Sequence, residues 1–370
     1  MLPDTLLIDC NSDTWEGHAI WQDLFAVTPG ASAYVSPVVV GEWIQIFAEP
    51  LSTKQFVVYQ ENGKAAGTCL LSKSSKCAGP VHLQRGFLNL DGEPAADSLV
   101  VEYNRPLIVP GYEQLFYSAL ARHLHSVSRI DEFQASGLPD DVVRAIEEHL
   151  PSWQVELVQR ESPYVDLKNL RVQGIDHLTS ISRNTRSQIN RCRRLYEEMS
   201  APVLDVATTQ SEAGVFFDEL LELHAKRWNS VGQKGGFATD RRIALHKRII
   251  QTGLDSGLVQ LLRLRAGSRT LGVLYNLVAN GQVCFYQSGI LREENPQLKP
   301  GLLLHHLAIE HYLHSGMHRY DFLPSLPNEG RYKDSLSNMS DTLTTMTCRR
   351  PAMRTRYFQA LRFMRDALTR

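Results

Sequence analysis

The chain has 370 residues and sets 39 Lys+Arg against 40 Asp+Glu, a formal net charge of −1; that length is comfortable for two domains and long for one. So even a balance gives no global field to draw in nucleic acid or an acidic membrane, so any anion site has to be local. No apolar run is long enough for a membrane-spanning helix, and six scattered cysteines without a CxxC pair, behind an N-terminus with no basic start, imply reduced thiols in the cytoplasm.

Residues 13–26, "DTWEGHAIWQDLFA", alternate as an amphipathic helix, and residues 38–48 as a second, shorter one. Two apolar runs then meet at Glu61-Asn62-Gly63-Lys64, a hairpin signal because Asn-Gly tolerates the positive φ of a tight turn. A strand over 97–109, a helix over 112–126, a strand over 129–136 and a helix over 139–150 complete an α/β unit. The second half repeats this grammar with a basic helix over 182–199, a strand over 202–208, and helices over 212–229 and 241–252. Residues 258–290 read as a three-stranded meander turning at Ala266-Gly267 and Asn280-Gly281. A leucine-rich helix from Pro300, a strand over 318–323 and an Arg-rich amphipathic tail close the chain.

Sliding the first half by 190 positions sets Pro110-Gly111 on Pro300-Gly301, Arg129 on Arg319 and Asp131 on Asp321. Four identities in 22 positions are few, but they fall on the same strand, helix, strand order, which points to duplication. The copies differ where it matters electrically. A helix start leaves its first amides without intrahelical partners and carries roughly half a positive charge. In "LKPGLLL" a glycine lets a bulky anion reach those amides and Lys299 adds a full charge, so Lys299 and Gly301 suit a pyrophosphate. In "VPGYEQ" Val109 replaces the lysine and Glu113 puts a carboxylate into the first turn.

A meander, a Gly-initiated helix leaving its last strand and a further strand behind that helix resemble the GNAT superfamily of acyl-CoA transferases. Two such folds in tandem resemble its Fem-like branch. The stretches "ISRNTRSQINR", "FDELLELHAKRW", "VEYN", "YQSG", "LKPGLLLHHLAIE", "YDFL" and "RYKDSL" are similar to the members grouped with cellulose-biosynthesis-associated acetyltransferases. The segment "LPSLPNEG" after "YDF" departs from that branch, so acceptor identity does not carry over. The resemblance implies an α/β (α+β) fold of two tandem GNAT-like domains, each a mixed sheet flanked by helices. The domains expected are 1–155, without a donor site, 156–348, with the acyl-CoA site, and an Arg-rich helix over 349–370.

Acyl transfer from a thioester to an amine needs a deprotonated amine, a stabilised oxyanion and a reprotonated thiolate. The resemblance places the oxyanion donor among backbone amides at Tyr286, Gln287 and Ser288, with Tyr286 a candidate acid; its alternative is a tyrosine packed on the sheet. It places Leu302 with Lys299 and Gly301 at the pyrophosphate. Glu102 and Asp321 each interrupt an apolar strand pattern, so each either pairs with a cation or handles the amine. Helical spacing groups His224, Arg227 and Trp228 on one face, as an acceptor wall or a buried Trp beside solvated basic groups. Arg331, Tyr332 and Lys333 resemble the Fem-like segment near the acceptor.

No metal is expected: His306 and His314 lie roughly 12 Å apart along a helix, too far to share one ion. The arginines of 182–199 and of the tail read as a solvated face or as contacts to an adenosine 3′-phosphate, with no nucleic-acid module beside them. The expectation is a cytoplasmic acyltransferase moving an acyl group, most simply acetyl from acetyl-CoA, to an amine of a small molecule or saccharide precursor. Fem-like aminoacyl transfer to a cell-wall precursor, or a non-catalytic partner of a surface-polysaccharide assembly, are the alternatives.

Overall fold

The computed structural model describes residues 4–10, 15–48, 52–78, 81–89, 101–127, 129–230, 232, 235–325, 331–355, 357–358 and 360. The chain divides into two units, Met1–Gln159 with Thr342–Arg370, and Arg160–Asp341. The first holds β1 (Thr5–Asp9), α1 (His18–Val27), α2 (Pro37–Trp43), β2 (Lys54–Tyr59), β3 (Ala65–Ala78), β4 (Val81–Leu88), β5 (Leu107–Ile108), α3 (Glu113–Arg122), β6 (Glu132–Leu138) and α4 (Asp140–His149). The chain leaves it within β7 (Gln154–Asp166). The second unit holds α5 (Leu167–Gln173), α6 (His177–Ser180), α7 (Arg183–Glu197), β8 (Pro202–Val206), α8 (Gln210–Ser230), α9 (Asp240–Gly253), β9 (Val259–Ala266), β10 (Arg269–Ala279), β11 (Gln282–Ile290), α10 (Pro300–His314), β12 (Arg319–Asp321) and α11 (Arg331–Leu336). It returns within β13 (Met339–Arg349), so residues 342–348, set with the second domain by the sequence, lie in the first unit. The reason is pairing: Thr344 to Arg349 lie antiparallel along β6. Of the Arg-rich tail helix, residues 361–370 lie outside the described residues.

In the first unit the strands run in the order β1-β2-β3-β4-β6-β13, with β5 on β3. The expected hairpin forms at Gly63, which takes φ +79°, while the Asn62 side-chain oxygen accepts the Lys64 amide at 3.0 Å. Phe56, Phe116, Phe133 and Trp153 meet in one buried cluster, each burial contributing about 1.5–3 kcal/mol. The strand expected over 97–109 does not form as read: residues 97–100 lie outside the described residues, and only Leu107–Ile108 is strand. Tyr103 at φ +52° turns the chain, and Asn104 gives its amide to the Gly137 carbonyl at 2.8 Å rather than to a ladder. Conversely, β4 escapes sequence reading because Arg85 interrupts its apolar pattern; that arginine is buried on Glu132 at 2.9 Å.

The second unit runs β7-β12-β11-β10-β9-β8. Its meander is antiparallel throughout, and Asn280 and Gly281, at φ +50° and +75°, make the expected tight turn. Here β11, α10 and β12 form a parallel crossover, Val283 opposite Tyr320. In the first unit β4, α3 and β6 do the same, Gly86 opposite Phe133. Both aligned Pro-Gly pairs therefore precede a crossover helix, and Asp131 and Asp321 are both fully buried. The copies are not in phase throughout: Arg319 opens β12, whereas Arg129 stands outside β6 at φ +49°.

Candidate active site

Three features of the second unit converge on β11. Pairing with β12 stops at Cys284, although β11 continues to Ile290, so the two parallel strands part after the first third of β11. At the parting β11 carries a bulge: Asn276 faces Phe285 and Tyr275 faces Gln287, leaving Tyr286 as the extra residue. A bulge takes a residue out of the regular ladder and re-aims its backbone. The sequence had marked Tyr286, Gln287 and Ser288 on this strand without any signal for the bulge.

Beyond β11 the chain loops to α10, whose N-cap position is Lys299, with no side-chain cap bond, Pro300 in the first turn and no acidic residue there. A side chain at Gly301 would meet nothing closer than Ile290 at 3.6 Å, so the approach to the first turn is open. The Lys299 ammonium donates to Gln188 at 2.7 Å and its amide to the Cys192 sulfur at 3.1 Å, which ties the loop to α7. Lys299, Pro296 and Gln297 from the loop and Asn184, Gln188 and Arg191 from α7 line a cleft of about 210 Å³ without a carboxylate. Leu302 does not line it and is half-buried against the hydrophobic core of the unit.

On the α8–α9 side of β11, the Tyr286 hydroxyl lies 3.0 Å from His246 Nε2, and His246 Nδ1 lies 3.4 Å from the Tyr275 hydroxyl. Burial drives the His246 pKa down to about 3 and raises that of Tyr286, so the imidazole is neutral and the phenol keeps its proton. Phe237 stands edge-on to both His246 and His224, with ring centres 5.3 and 5.0 Å apart. Burial, helped by the Arg227 charge, lowers His224 to about 4. Gly235, at φ +66°, lets the 235–236 turn close on this cluster, since a Cβ there would strike His224 and Trp228, and one on Gly236 would meet Gln287 at 2.9 Å. His224, Trp228, Tyr286 and Gln287 are thus drawn together. Arg227 lies exposed over the Trp228 ring at 5.7 Å. His246 and Phe237 were missed by sequence reading; a histidine inside "RRIALHKRII" carries no signal beyond its place on an apolar helix face.

Other candidates sit elsewhere. Asp321 is fully buried with both carboxylate oxygens engaged: Ser162 and the Leu323 amide donate to one at 2.8 Å, and Arg319 to the other. It orients Arg319, which reaches on to Asp341 at 2.6 Å and covers the Tyr164 ring. Lys333 donates to the Phe322 and Leu323 carbonyls at 2.7 and 3.0 Å where the strands part, so it holds the backbone. Tyr332 packs on His305 with ring centres 5.5 Å apart. The side chain of Arg331 lies outside the described residues. Glu102 belongs to the first unit, buried in the Val101–Asn104 bend rather than in a strand, and Gly137 at φ +67° makes room for its carboxylate.

One cluster has ligand atoms close enough to share an ion: His177, His306 and Glu310, all within 4.8 Å of one another. His177, rather than the His314 weighed from sequence, stands beside His306. Its Nε2 bonds the Leu336 carbonyl at 2.8 Å, and its Nδ1 faces His306 Nδ1 at 3.1 Å, a distance at which the two rings bond each other. No disulfide joins the six cysteines, and no helix of the described residues is long and apolar enough to cross a membrane.

A bulged strand parting from its parallel neighbour, with a helix start beyond it that has no side-chain cap, is the frame of a GNAT-type fold. Residues 183–334 match the family model described as an acetyltransferase (GNAT) domain. The chain is similar to FemX at 10% identity and a TM-score of 0.58, covering 90% of this chain and 96% of that one. It is also similar to a conserved protein of unknown function from Bacteroides thetaiotaomicron, at 12% and 0.57 over 90% and 97%. Against L-PGS from Bacillus licheniformis the values are 10% and 0.53 over 92% and 95%. No curated protein matches the chain in sequence. Residues 183–334 thus carry a GNAT-type domain, and the chain as a whole has a fold like that of FemX and L-PGS.

Proposed function

We propose that the protein is an N-acyltransferase that takes its acyl group from acyl-CoA, acetyl-CoA first among these, and passes it to an amine of a small molecule or saccharide precursor in the cytoplasm. The observation that carries the reading is the start of α10: amides without a side-chain cap, no carboxylate in the first turn, and Lys299 in an open cleft. A diphosphate there gains hydrogen bonds and the helix dipole together. The pantetheine arm of the donor would then run along the part of β11 that β12 leaves uncovered, bringing the thioester to the bulge.

There the neutral acceptor amine attacks the carbonyl, and backbone amides of the Tyr286–Ser288 stretch stabilise the oxyanion. His246 decides what Tyr286 does. If Tyr275 donates to Nδ1, the neutral imidazole carries its proton on Nε2 and gives it to the Tyr286 oxygen, the orientation that would let the phenol donate to the departing sulfur. Because burial raises the phenol, it serves as a hydrogen-bond donor to the thiolate rather than a full acid. The bonds already made by Asp321 argue against it as the base. His224, Trp228 and Phe237 offer an aromatic, uncharged wall for the acceptor.

The test is thiol release from acetyl-CoA against a panel of amino sugars and amino acids. Release on at least one acceptor, slowed about tenfold in Tyr286→Phe, supports the reading. Coenzyme binding without release on any acceptor favours a non-catalytic partner of a surface-polysaccharide assembly, and no coenzyme binding removes the donor.

A further inference from the structure

Folding of the second unit brings together donor atoms that the proposed reaction does not use. His177 opens α6, and His306 and Glu310 stand four residues apart on α10, so their side chains share one face of that helix. Each of the three offers a donor atom within 4.8 Å of the other two; the imidazoles are buried and the carboxylate half-buried. None of them lines the cleft at Lys299. His314, on the same helix, is bonded instead to the Glu310 carbonyl at 2.6 Å.

The proton positions in this cluster suit a cation. A carbonyl only accepts, so the 2.8 Å contact to Leu336 places the His177 proton on Nε2 and leaves a lone pair on Nδ1. The bond to His306 Nδ1, 3.1 Å away, then takes its proton from His306. That separation is close to the roughly 3.3 Å between neighbouring ligands of a tetrahedral zinc with bonds of about 2.0 Å. A zinc ion can take the place of the shared proton once the rings turn toward it: His306 moves its proton from Nδ1 to Nε2, both imidazoles stay neutral, and none is released. Burial already keeps the two rings neutral. The supports that orient metal ligands are also in place. Leu336 fixes the tautomer of His177, and the His177 amide donates to Glu310 Oε1 at 3.0 Å, which holds the carboxylate beside the rings. Of the other charges acting on His306, Asp176 favours a cation and Arg193 opposes it, so Glu310 supplies the net negative charge.

We propose that His177, His306 and Glu310 bind one zinc ion, with water in the fourth position, and that the ion clamps α6 to α10 within the second unit. Two imidazoles and a carboxylate are a donor set suited to zinc. No group of the proposed reaction is among the ligands, so the ion acts on the fold rather than on acyl transfer, and the site stands whether or not the donor is acyl-CoA.

The experiment uses the full chain without a polyhistidine tag, stripped with a chelator and titrated with zinc against a chromophoric chelator. The expected result is one zinc per chain, a raised melting temperature, and slower amide exchange in α6 and α10. Glu310→Gln, whose side-chain oxygen can keep the His177 amide bond, should weaken zinc about a hundredfold with an unchanged circular dichroism spectrum. Cys77→Ser, which removes an exposed thiol 3.0 Å from His82 that could hold zinc adventitiously, should change nothing. Failure of the parent chain to bind zinc, protection falling outside α6 and α10, undiminished affinity in Glu310→Gln, or loss of the ion in Cys77→Ser each overturns the proposal.

Discussion

The two crossover helices start alike and are electrically opposite. At α3 the first turn carries its own negative charge: Glu113 opens the helix and its carboxylate accepts the amide of Gly111 just before it at 2.9 Å. At α10 the space beside the aligned glycine holds nothing closer than Ile290, the first turn has no acid, and Lys299 at the N-cap lines a cleft. Two changes of charge thus separate the helix starts, a carboxylate gained at Glu113 and a lysine replaced by Val109, and both disfavour an anion at α3. The units differ in a second way. Histidines His246, His305 and His306 of the second unit are each held down to about 3, and His224 to about 4, all by burial; the first unit has His123 at about 4.

That second difference predicts the largest effect. Each of these histidines is neutral in the folded state and titrates at an ordinary value near 6.5 when unfolded. Above 6.5 both states are neutral and the contribution is complete; as pH falls from 6.5 toward the folded values, the unfolded state gains protons first and stability is lost. One pH unit below 6.5 costs on the order of 1 kcal/mol per histidine, so the second unit, with four of them, loses several times what His123 costs the first. Hydrogen exchange followed peptide by peptide at pH 7 and 5.5, corrected for intrinsic rates, should show residues 160–341 loosening well before residues 15–150. Equal loosening would erase this contrast.

Carrying the first unit's chemistry into the second comes next. Lys299→Glu should weaken coenzyme A binding about a hundredfold, since a charge-assisted bond is lost and a repulsion gained, with an unchanged melting temperature. Unaltered affinity in calorimetry would place the donor elsewhere. Smaller again, Tyr286→Phe should lower kcat about tenfold while KM holds, the signature of a bond made only in the transition state. Between pH 5.5 and 8 the kcat/KM profile should rise with the acceptor amine alone, because His224 and His246 stay neutral throughout. A limb near 6.5 belonging to the enzyme would refute the neutral imidazole. The smallest effect sharpens the comparison from the other side: Glu113→Gln should cost about 0.5 kcal/mol in urea melts and should not create a second coenzyme site, because Val109 brings no cation.

Much of the frame was legible. Asn-Gly pairs located two hairpins, and Lys299-Pro300-Gly301 located the helix start, since turn and cap chemistry act over a few residues. What escaped was nonlocal. The strand expected through "VEYN" gave way to a bend held by Asn104 and Gly137, and β4 hid behind Arg85, whose burial depends on a partner 47 residues away. His246 acquired its place against Tyr286 from α9, 40 residues upstream. Lys333, which resembled an acceptor contact, is turned to backbone carbonyls at the parting of β11 and β12.

The sequence by itself determined that the chain would form two α/β units and that only the second would present a cationic, carboxylate-free helix start, because these depend on periodicity and on charges within one turn. Only the tertiary structure decided that β11 bulges at Tyr286, that a neutral histidine faces its hydroxyl, and that α7 and the loop before α10 line one cleft around Lys299. Those outcomes depend on which distant groups are brought together and which are kept from water, and no local stretch of chain encodes either.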